Sequence, residues 1–424
     1  MKRSINRRQF LAAAALAPVA AHSVYALSEE KMTDLKTTPA RFFFTSQGKT
    51  ATMNADGSGL RYFEFDVPNQ ATWQAGGFFS DGRVLFLSME PRRDGPGKPF
   101  EEYYHKTPTH IWVYDLDRDE LKELATHDRL AVFMTPQLLL NDERILMQVI
   151  SDGGVAQTYS MNLDGTDARE VTQAGEGMPY GLSVSPDGNR LAFHLAGPSG
   201  YQIWTSDVDG GNRTLVAAHE EYLYFGPNWS PDGEWLVFQG CLYHQDPGHD
   251  WSDLCIGRPD GSELKMLTEE QALWFGASYG SLETRGGGSN MPVWTGDGKI
   301  LVSRRLPDSK VPWEYQVDRP DTDHFNRDFR PELAQGGTEI CRIDLGDGAV
   351  ERLTHSEPPV WDFRQSESPD GEQMVFCRAE TGGAPAIWVS DADGENQRML
   401  TRGLDERGAD HPRWVPQAIK NKDL

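Results

Sequence analysis

The chain has 424 residues, with 64 Asp or Glu against 41 Lys or Arg, so its formal net charge is −23 at pH 7. Binding to nucleic acid and general adhesion to anionic membranes both need a basic surface, and this balance excludes them as main functions. A local cationic pocket for a small acidic ligand remains compatible with it.

Residues 1–26 are predicted to be an export signal. Four basic residues precede the apolar run LAAAALAPVA, and residues 24–26 offer a small-residue cleavage site. The phrase RRQFL at 7–11 resembles the twin-arginine signal, which exports folded bacterial proteins. The apolar run is too short to span a bilayer as a helix, and no later segment qualifies. We expect a periplasmic or secreted protein, with a retained, uncleaved anchor as the alternative.

The rest of the chain repeats one phrase, a tight acidic turn followed by an apolar strand. The copies are FFSDGRVLF (78–86), LLLNDERILM (138–147), VSPDGNRLAF (184–193), WSPDGEWLVF (229–238), WTGDGKILV (294–302) and ESPDGEQMVF (367–376). A second phrase of the type IW-x-x-D-x-DG follows most of them, as in IWTSDVDG (203–210) and IWVSDADG (387–394). Asp-Gly suits tight hairpins, so each unit is predicted to have four short antiparallel strands.

The two ends of the chain are predicted to complete one unit between them. HPRWVP (411–416) resembles a first strand, while RFFFTS (41–46), TATMNADG (50–57) and LRYFEF (60–65) resemble the second, third and fourth. Four-stranded units repeated radially are propeller blades, and such closure removes exposed sheet edges. We therefore expect an all-β, seven-bladed β-propeller over 41–416, with a 27–40 extension before it and a 417–424 tail after it. The length alone would also allow two or three domains.

The four cysteines are Cys241, Cys255, Cys341 and Cys377. The first two end and open neighbouring predicted strands, so a disulfide between them is as plausible as two free thiols.

The strand order predicts one functional rim. The Asp-Gly turns lie on one side, and all long connections lie on the other, including 90–110, 240–253, 271–290 and 305–337. Long loops in a compact domain usually carry function, and these are rich in Trp, Tyr, His and Arg.

Three sets of candidate residues follow from the chemistry of their side chains on this rim. The candidate catalytic residues, as bases, carboxylate clamps or proton donors, are His249, His324, His411, Arg285, Arg364 and Tyr243. The candidate substrate-binding residues are Trp251, Asp250, Arg327 and Asn290. The candidate metal ligands are His244 and Asp253, for a divalent metal such as manganese or calcium. Structural roles are the alternatives: loop-shaping hydrogen bonds around Asp250 and Asp253, and a buried Arg–Asp pair that pins the ring seam beside Arg364 and His411.

The two repeated phrases resemble the propeller repeats of the TolB family over roughly 40–416, which implies the fold. A narrower resemblance is to oligogalacturonate lyases, propellers that cleave uronate oligosaccharides with manganese held by histidines and a glutamine. Of that family's His-Pro-x-His-Pro phrase, the segment 411–414 matches only the first histidine, His411, and Arg364 stands where the family has a ligand histidine.

The resemblance implies an acidic carbohydrate substrate cleaved by β-elimination. We also expect a monomer, and the acidic charge and the lack of a long apolar run predict no nucleic-acid partner and no transmembrane segment. The alternatives are a non-catalytic, TolB-like propeller that binds a protein partner, and a hydrolase of another class.

Overall fold

The computed structural model describes most of the chain beyond the predicted signal. The described residues are 40–46, 49–70, 72–90, 109–127, 136–139, 142–150, 156–173, 175–197, 200–242, 249–274, 290–315, 327–402, 404 and 408–416. All of them belong to the compact unit Pro39–Leu424.

Strands make up nearly all the regular structure of these residues. Those in four-stranded sheets are β1 (Arg41–Ser46), β2 (Lys49–Asn54), β3 (Arg61–Tyr62), β4 (Thr72–Phe78), β5 (Val84–Met89), β6 (Thr109–Asp115), β7 (Glu120–His127), β8 (Gln137–Leu139), β9 (Arg144–Ile150), β10 (Ala156–Asn162), β11 (Arg169–Glu170), β12 (Met178–Val184), β13 (Arg190–Gly197), β14 (Gly200–Asp207), β15 (Thr214–Ala217), β16 (Tyr222–Trp229), β17 (Leu236–Leu242), β18 (Asp253–Gly257), β19 (Leu264–Met266) and β30 (Ala409–Trp414).

The remaining strands lie between residues 293 and 399. They are β20 (Val293–Trp294), β21 (Ile300–Arg305), β22 (Trp313–Tyr315), β23 (Arg327–Phe329), β24 (Thr338–Ile343), β25 (Val350–Arg352), β26 (Val360–Glu367), β27 (Gln373–Glu380), β28 (Ala386–Asp391) and β29 (Arg398–Met399), with a 3-10 helix at Pro331–Leu333.

The fold is an all-β propeller, but the prediction of seven separate blades is wrong. Five four-stranded blades form separate sheets, with orders β3-β2-β1-β30, β4-β5-β6-β7, β8 to β11, β12 to β15 and β16 to β19. The other two predicted units share one eight-stranded sheet, because Thr338 of β24 pairs in parallel with Trp361 of β26. Strands β22 and β23 form a separate hairpin within the loop that was predicted to be irregular. Repeats in sequence define strands and turns, whereas this single bridge between neighbouring units leaves no pattern in the sequence.

The two chain ends meet in one sheet. Strand β30 pairs with β1 antiparallel, with Trp414 opposite Phe42. The indole of Trp414 packs edge-on against Phe42 at 5.6 Å and donates to the Ser366 carbonyl oxygen at 3.0 Å. The C-terminal strand is therefore held by the N-terminal strands on one side and by β26 on the other.

The repeated SPDG turns have one hydrogen-bonding scheme. In 185–188 the Ser185 hydroxyl donates to Asp187 at 2.5 Å, the Asn189 N–H donates to the same carboxylate oxygen at 3.1 Å, and Gly188 adopts φ 74°. Glycine takes this left-handed conformation without a Cβ clash. Equivalent bonds recur around Asp232 and Asp370, so the acidic residues of the motif shape turns.

Neighbouring blades are joined by apolar contacts and by a ring of polar side chains. Most interfaces bury large side chains of both sheets, as where Phe79, Leu85 and Ile111 of one blade pack with Ile145 and Met147 of the next. Beside this core, equivalent residues of the second strands reach the neighbouring inner strand or the segment that leads to it. These residues are Gln148, His194, Gln239, Ser303 and Cys377, which contact Pro179, Gly226, Leu273, Asp362 and Asp410 respectively.

The cysteines are all free and buried. Cys255 lies opposite Phe238, while Cys241 lies opposite Leu223, so the two side chains belong to different apolar clusters. Among the residues that the structure describes, a helix with the length and apolar character needed to cross a bilayer is absent.

Candidate functional site

The inner strands carry bulges whose central residues adopt a left-handed backbone. Register shifts interrupt β12, β16, β26 and the pairing of β30 with β1. At these shifts Gly181, Gly226, Arg364 and His411 have φ values of 56°, 65°, 53° and 55°. Glycine adopts this conformation freely, but a residue with a Cβ pays a steric cost. Arg364 and His411 therefore keep a strained backbone where other inner strands use glycine, and such strain is typical of functional positions.

Contacts between the bulges place them around one axis. A Cβ on Gly181 would lie 3.0 Å from the Gly226 Cα, and a Cβ on Gly226 would overlap the Met291 side chain. The Arg364 N–H donates to Asn290 Oδ1 at 2.5 Å. The ring continues from Arg364 to Asp410 on β30. We call the group Asn290, Arg364, Asp410, His411 and Arg413 the axial cluster.

Arg364 and Asp410 form a buried ion pair. The Arg364 Nη1 donates to Asp410 Oδ2, and both side chains are almost fully covered. The other carboxylate oxygen of Asp410 accepts hydrogen bonds from the Cys377 thiol at 3.3 Å and from the His411 N–H at 2.7 Å. Burial and the adjacent Asp410 charge raise the pKa of the Cys377 thiol well above its usual range, so this sulfur stays protonated.

His411 is the exposed member of the cluster. Half of its side-chain surface is open to solvent, and the other half packs against protein atoms. Burial among these atoms and the positive charge of Arg364 lower the pKa of His411 to about 4, and Asp410, with Oδ2 3.5 Å from Nδ1, only partly opposes this. The imidazole is therefore neutral at physiological pH and can accept a proton.

Arg413 adds a positive charge without a carboxylate partner among the described residues. Its guanidinium donates to the carbonyl oxygens of Ala75 at 2.7 Å and Gly76 at 3.2 Å, on the inner strand of the next blade. Burial lowers its pKa to about 10, so it remains charged at neutral pH. With one carboxylate and two arginines, the axial cluster is net positive in a strongly acidic chain.

Asn290 holds its place through three hydrogen bonds. Its backbone N–H donates to Trp274 O at 2.7 Å, its side-chain Nδ2 donates to Leu273 O at 3.0 Å, and its Oδ1 accepts the Arg364 N–H. It is almost completely buried. The structure therefore brings together three of the sequence-predicted residues, Asn290, Arg364 and His411, and gives Asn290 the position of a support beneath Arg364.

Other predicted residues lie apart from this cluster. Trp251 is fully buried and stacks parallel on Trp361 at 6.1 Å, which is a core position and not an open platform. Asp250 is also buried, whereas His249 is exposed and its carbonyl oxygen accepts the Trp251 N–H at 2.9 Å. Arg327 begins β23 opposite Tyr315.

The predicted metal ligand Asp253 lies on β18. Its Oδ1 accepts the Glu270 N–H at 2.6 Å, and burial raises its pKa to about 6, as does the charge of Glu270. Its predicted partner His244, together with the catalytic candidates Tyr243, Arg285 and His324, lies outside the described residues.

The described part of the axial cluster does not fit a divalent cation. His411 could supply a nitrogen ligand and Asp410 oxygen ligands. However, the Asp410 carboxylate already forms an ion pair with Arg364, and Arg413 adds positive charge. Groups of three or more His, Cys, Asp or Glu side chains able to hold a metal are also absent from the described ranges. Cationic neighbours suit an anionic ligand better than a metal ion.

Sequence reasoning missed Arg413 as a member of the cluster and Cys377 as a contact of Asp410. The strand pattern points to Arg364 and His411 instead: the left-handed bulge residues are glycine in β12 and β16, and the same place in β26 and β30 holds Arg and His.

The fold and the axial cluster define a β-propeller with a cationic, histidine-bearing group of residues on its inner strands. No protein-family model matches the chain. The uncharacterized protein Atu1656 of Agrobacterium fabrum is 26% identical over 203 residues, which span 47% of this chain and 54% of that protein. The match thus covers about half the length of that curated relative.

Solved structures similar to this chain include TolB from Acinetobacter baumannii, with 14% identity, a TM-score of 0.41 and coverage of 74% of this chain and 80% of that one. An oligogalacturonate lyase in complex with manganese is 14% identical, with a TM-score of 0.49 and coverage of 85% and 84%. A puromycin hydrolase is 13% identical, with a TM-score of 0.51 and coverage of 85% and 52%. Of these three, the puromycin hydrolase has a TM-score above 0.5, and at 13% identity this likeness shows the fold alone.

Proposed function

We propose that the axial cluster binds a uronate-containing oligosaccharide or polysaccharide and cleaves it by β-elimination, with His411 as the base. The observation that carries the proposal is the half-exposed, neutral His411 at a strained bulge between two arginines. A neutral imidazole can accept a proton, and the positive surroundings favour a carboxylate-bearing ligand.

In the proposed elimination, His411 is the base, solvent is the acid, and the charged residues of the axial cluster stabilise the substrate carboxylate. His411 removes the C5 proton, the electron pair of that C–H bond forms the C4=C5 double bond, and the C4–O bond breaks. The leaving oxygen takes a proton from solvent. The net positive charge of Arg364, Asp410 and Arg413 offsets the uronate charge as electron density moves onto the carboxylate. No metal is part of this step.

The low pKa of His411 in the free chain also fits a base that becomes effective when the ligand binds. A general base works best with a pKa near the working pH, and about 4 lies well below it. A uronate carboxylate placed beside the ring would favour the imidazolium and raise the pKa toward that range. The ligand itself would therefore strengthen the base.

A second function, binding of a partner without catalysis, is favoured by the Arg364–Asp410 pair. Because Asp410 already neutralises Arg364, this arginine acts as a seam-pinning group between β26 and β30, and the cluster then serves as a docking site. We propose export through residues 1–26 for either function, which places the substrate or partner outside the cytoplasm.

The test is to incubate the chain with polygalacturonate, alginate and glucuronate-containing glycans, with and without Mn²⁺ or Ca²⁺, and follow the ultraviolet absorbance of unsaturated uronate. The informative variant is His411→Asn, because asparagine tolerates a left-handed backbone. The matched control is His355→Asn, since His355 is also an exposed histidine with φ 48° but lies outside the axial cluster.

We expect product from the wild type and His355→Asn and a loss of about 10²-fold or more in His411→Asn. Saturable binding of a glycan that yields no product would contradict the lyase and support the binding function.

A further inference from the structure

A cationic cavity lies beside the joined eight-stranded sheet. It has a volume of about 480 Å³ and is lined by Gln271, Arg304, Arg305, Asp308, Glu339 and Arg352, together with two apolar residues. None of these residues belongs to the axial cluster. The volume falls within the range of small-molecule sites.

The backbone around this cavity is fixed by interstrand hydrogen bonds. The Arg305 N–H donates to Gln271 O at 2.7 Å, and Arg304 pairs with Ala272 in an isolated bridge. Both arginines line the cavity at the end of β21, Arg304 from the face that it shares with Glu339 and Arg305 from the face that packs on Trp251. Both are partly buried.

Two of the three arginines form no ion pair with an Asp or Glu of the described residues. Arg352 donates to Glu339 Oε2 at 2.6 Å, which neutralises that carboxylate. Within the described ranges, Arg304 and Arg305 have no carboxylate at ion-pair distance. The Arg305 guanidinium lies 5.1 Å from the centre of the Trp251 ring, so its neighbour is an aromatic face. Asp308 is the remaining acid of the lining, which leaves the cavity with one net positive charge.

Such arginines are unusual in a chain with 64 acidic and 41 basic residues. Most other described arginines pair with Asp or Glu, for example Arg258 with Glu234 at 3.0 Å and Arg342 with Glu351 at 2.8 Å. No described Asp or Glu forms an ion pair with either of these partly buried guanidiniums, although Arg304 lies opposite Glu339 in the ladder, and a bound anion would supply a counter-charge.

We propose that this cavity is a binding site for a small organic anion, held through its carboxylate or phosphate group by Arg304 and Arg305. The planar guanidinium fork matches either group with two parallel hydrogen bonds, and Gln271 is a further polar residue of the lining. The apolar part of the lining accommodates the carbon skeleton. The site is independent of the proposed lyase function.

The test is isothermal titration calorimetry of the full chain with glucuronate and, separately, with inorganic phosphate at low ionic strength. Arg304→Gln and Arg305→Gln are measured singly and together, and circular dichroism verifies that each variant is folded. The matched control is Arg258→Gln, because Arg258 also covers an indole ring, at 3.9 Å from the centre of Trp235, but is already paired with a carboxylate.

We expect one anion to bind the wild type and Arg258→Gln equally, with about a tenfold loss in each single variant and a larger loss in the double variant. Tighter binding of glucuronate assigns a carboxylate ligand, and tighter binding of phosphate assigns a phosphate ligand. The proposal would be contradicted if neither probe bound the wild type. It would also be contradicted if a folded double variant bound the anion with the same affinity as the wild type.

Discussion

The Arg364 backbone N–H donates to Asn290 Oδ1 at 2.5 Å, across 74 residues of sequence. This bond fixes the bulge of β26 from the segment that precedes β20, so one buried amide supports the position of the arginine in the axial cluster. The same amide also donates to Leu273 O at 3.0 Å.

Asn290→Ala should therefore destabilise the protein. The change leaves the Arg364 N–H without its partner in a buried region, while the Leu273 carbonyl keeps its hydrogen bond from Gln239 at 2.9 Å, so we expect a cost of about 1–3 kcal/mol in the free energy of unfolding. Urea unfolding measures it. The control is Asn54→Ala, where the Nδ2 bond to Ser58 at 3.0 Å lies at the surface and its loss should cost less than about 1 kcal/mol. Equal losses would show that Asn290 does not support the bulge.

Arg364→Gln should be strongly destabilising because it leaves the Asp410 carboxylate buried without its cation. Breaking one side of a buried pair costs about 3–5 kcal/mol, whereas an exposed pair such as Arg83–Asp81 contributes about 0–1 kcal/mol. Chemical unfolding of Arg364→Gln and Arg83→Gln compares the two. A small effect at Arg364 would mean that Asp410 is neutral or solvated in the folded state.

Asp253 should make the protein less stable as pH rises from about 4 to 6. Burial raises its folded pKa to about 6 from an ordinary 3.8, so the folded state binds more protons in this window. The favourable contribution is complete below the unfolded pKa and lost as pH passes the folded pKa, for a total of about 2–3 kcal/mol.

The variant Asp253→Asn keeps an oxygen acceptor for the Glu270 N–H at 2.6 Å but cannot ionise. Its stability relative to the wild type should increase between pH 4 and pH 7 in thermal or urea unfolding. A difference that is constant across this range would show that the Asp253 pKa is unshifted.

The cysteines should be inert until the chain unfolds. All four are free and buried, and burial raises the pKa of Cys255 and Cys341, the latter to about 12. A thiol reagent should detect almost no thiols in the native protein and four in denaturant without reductant. Detection of only two thiols after denaturation would show that two cysteines form a disulfide, and would support the pairing of Cys241 with Cys255.

Sequence patterns predict the blades far better than the site. The SPDG turns and alternating strands are local, so Ser185, Asp187 and Gly188 specify their hairpin within a few residues. The β24–β26 bridge at Thr338 and Trp361 depends on how two units meet, and the sequence analysis missed it.

In the site, too, some residues could be predicted from the sequence and others could not. The prominence of Arg364 and His411 at inner strands was visible in sequence, since other bulges contain glycine. The role of Arg413 was not, because its partners are backbone carbonyl oxygens of Ala75 and Gly76, more than 300 residues away. Trp251 was predicted to bind substrate, and the structure places its indole in a buried position, stacked on Trp361.

The central claim is that His411 is a neutral base in a cationic, anion-binding cluster. Its most direct test is an NMR titration of the His411 ring, assigned with His411→Asn, in the free chain and at saturating oligogalacturonate. We predict a pKa of about 4 in the free chain and an upward shift when the uronate binds. An ordinary histidine pKa near 6.5 that does not respond to the uronate would contradict the account.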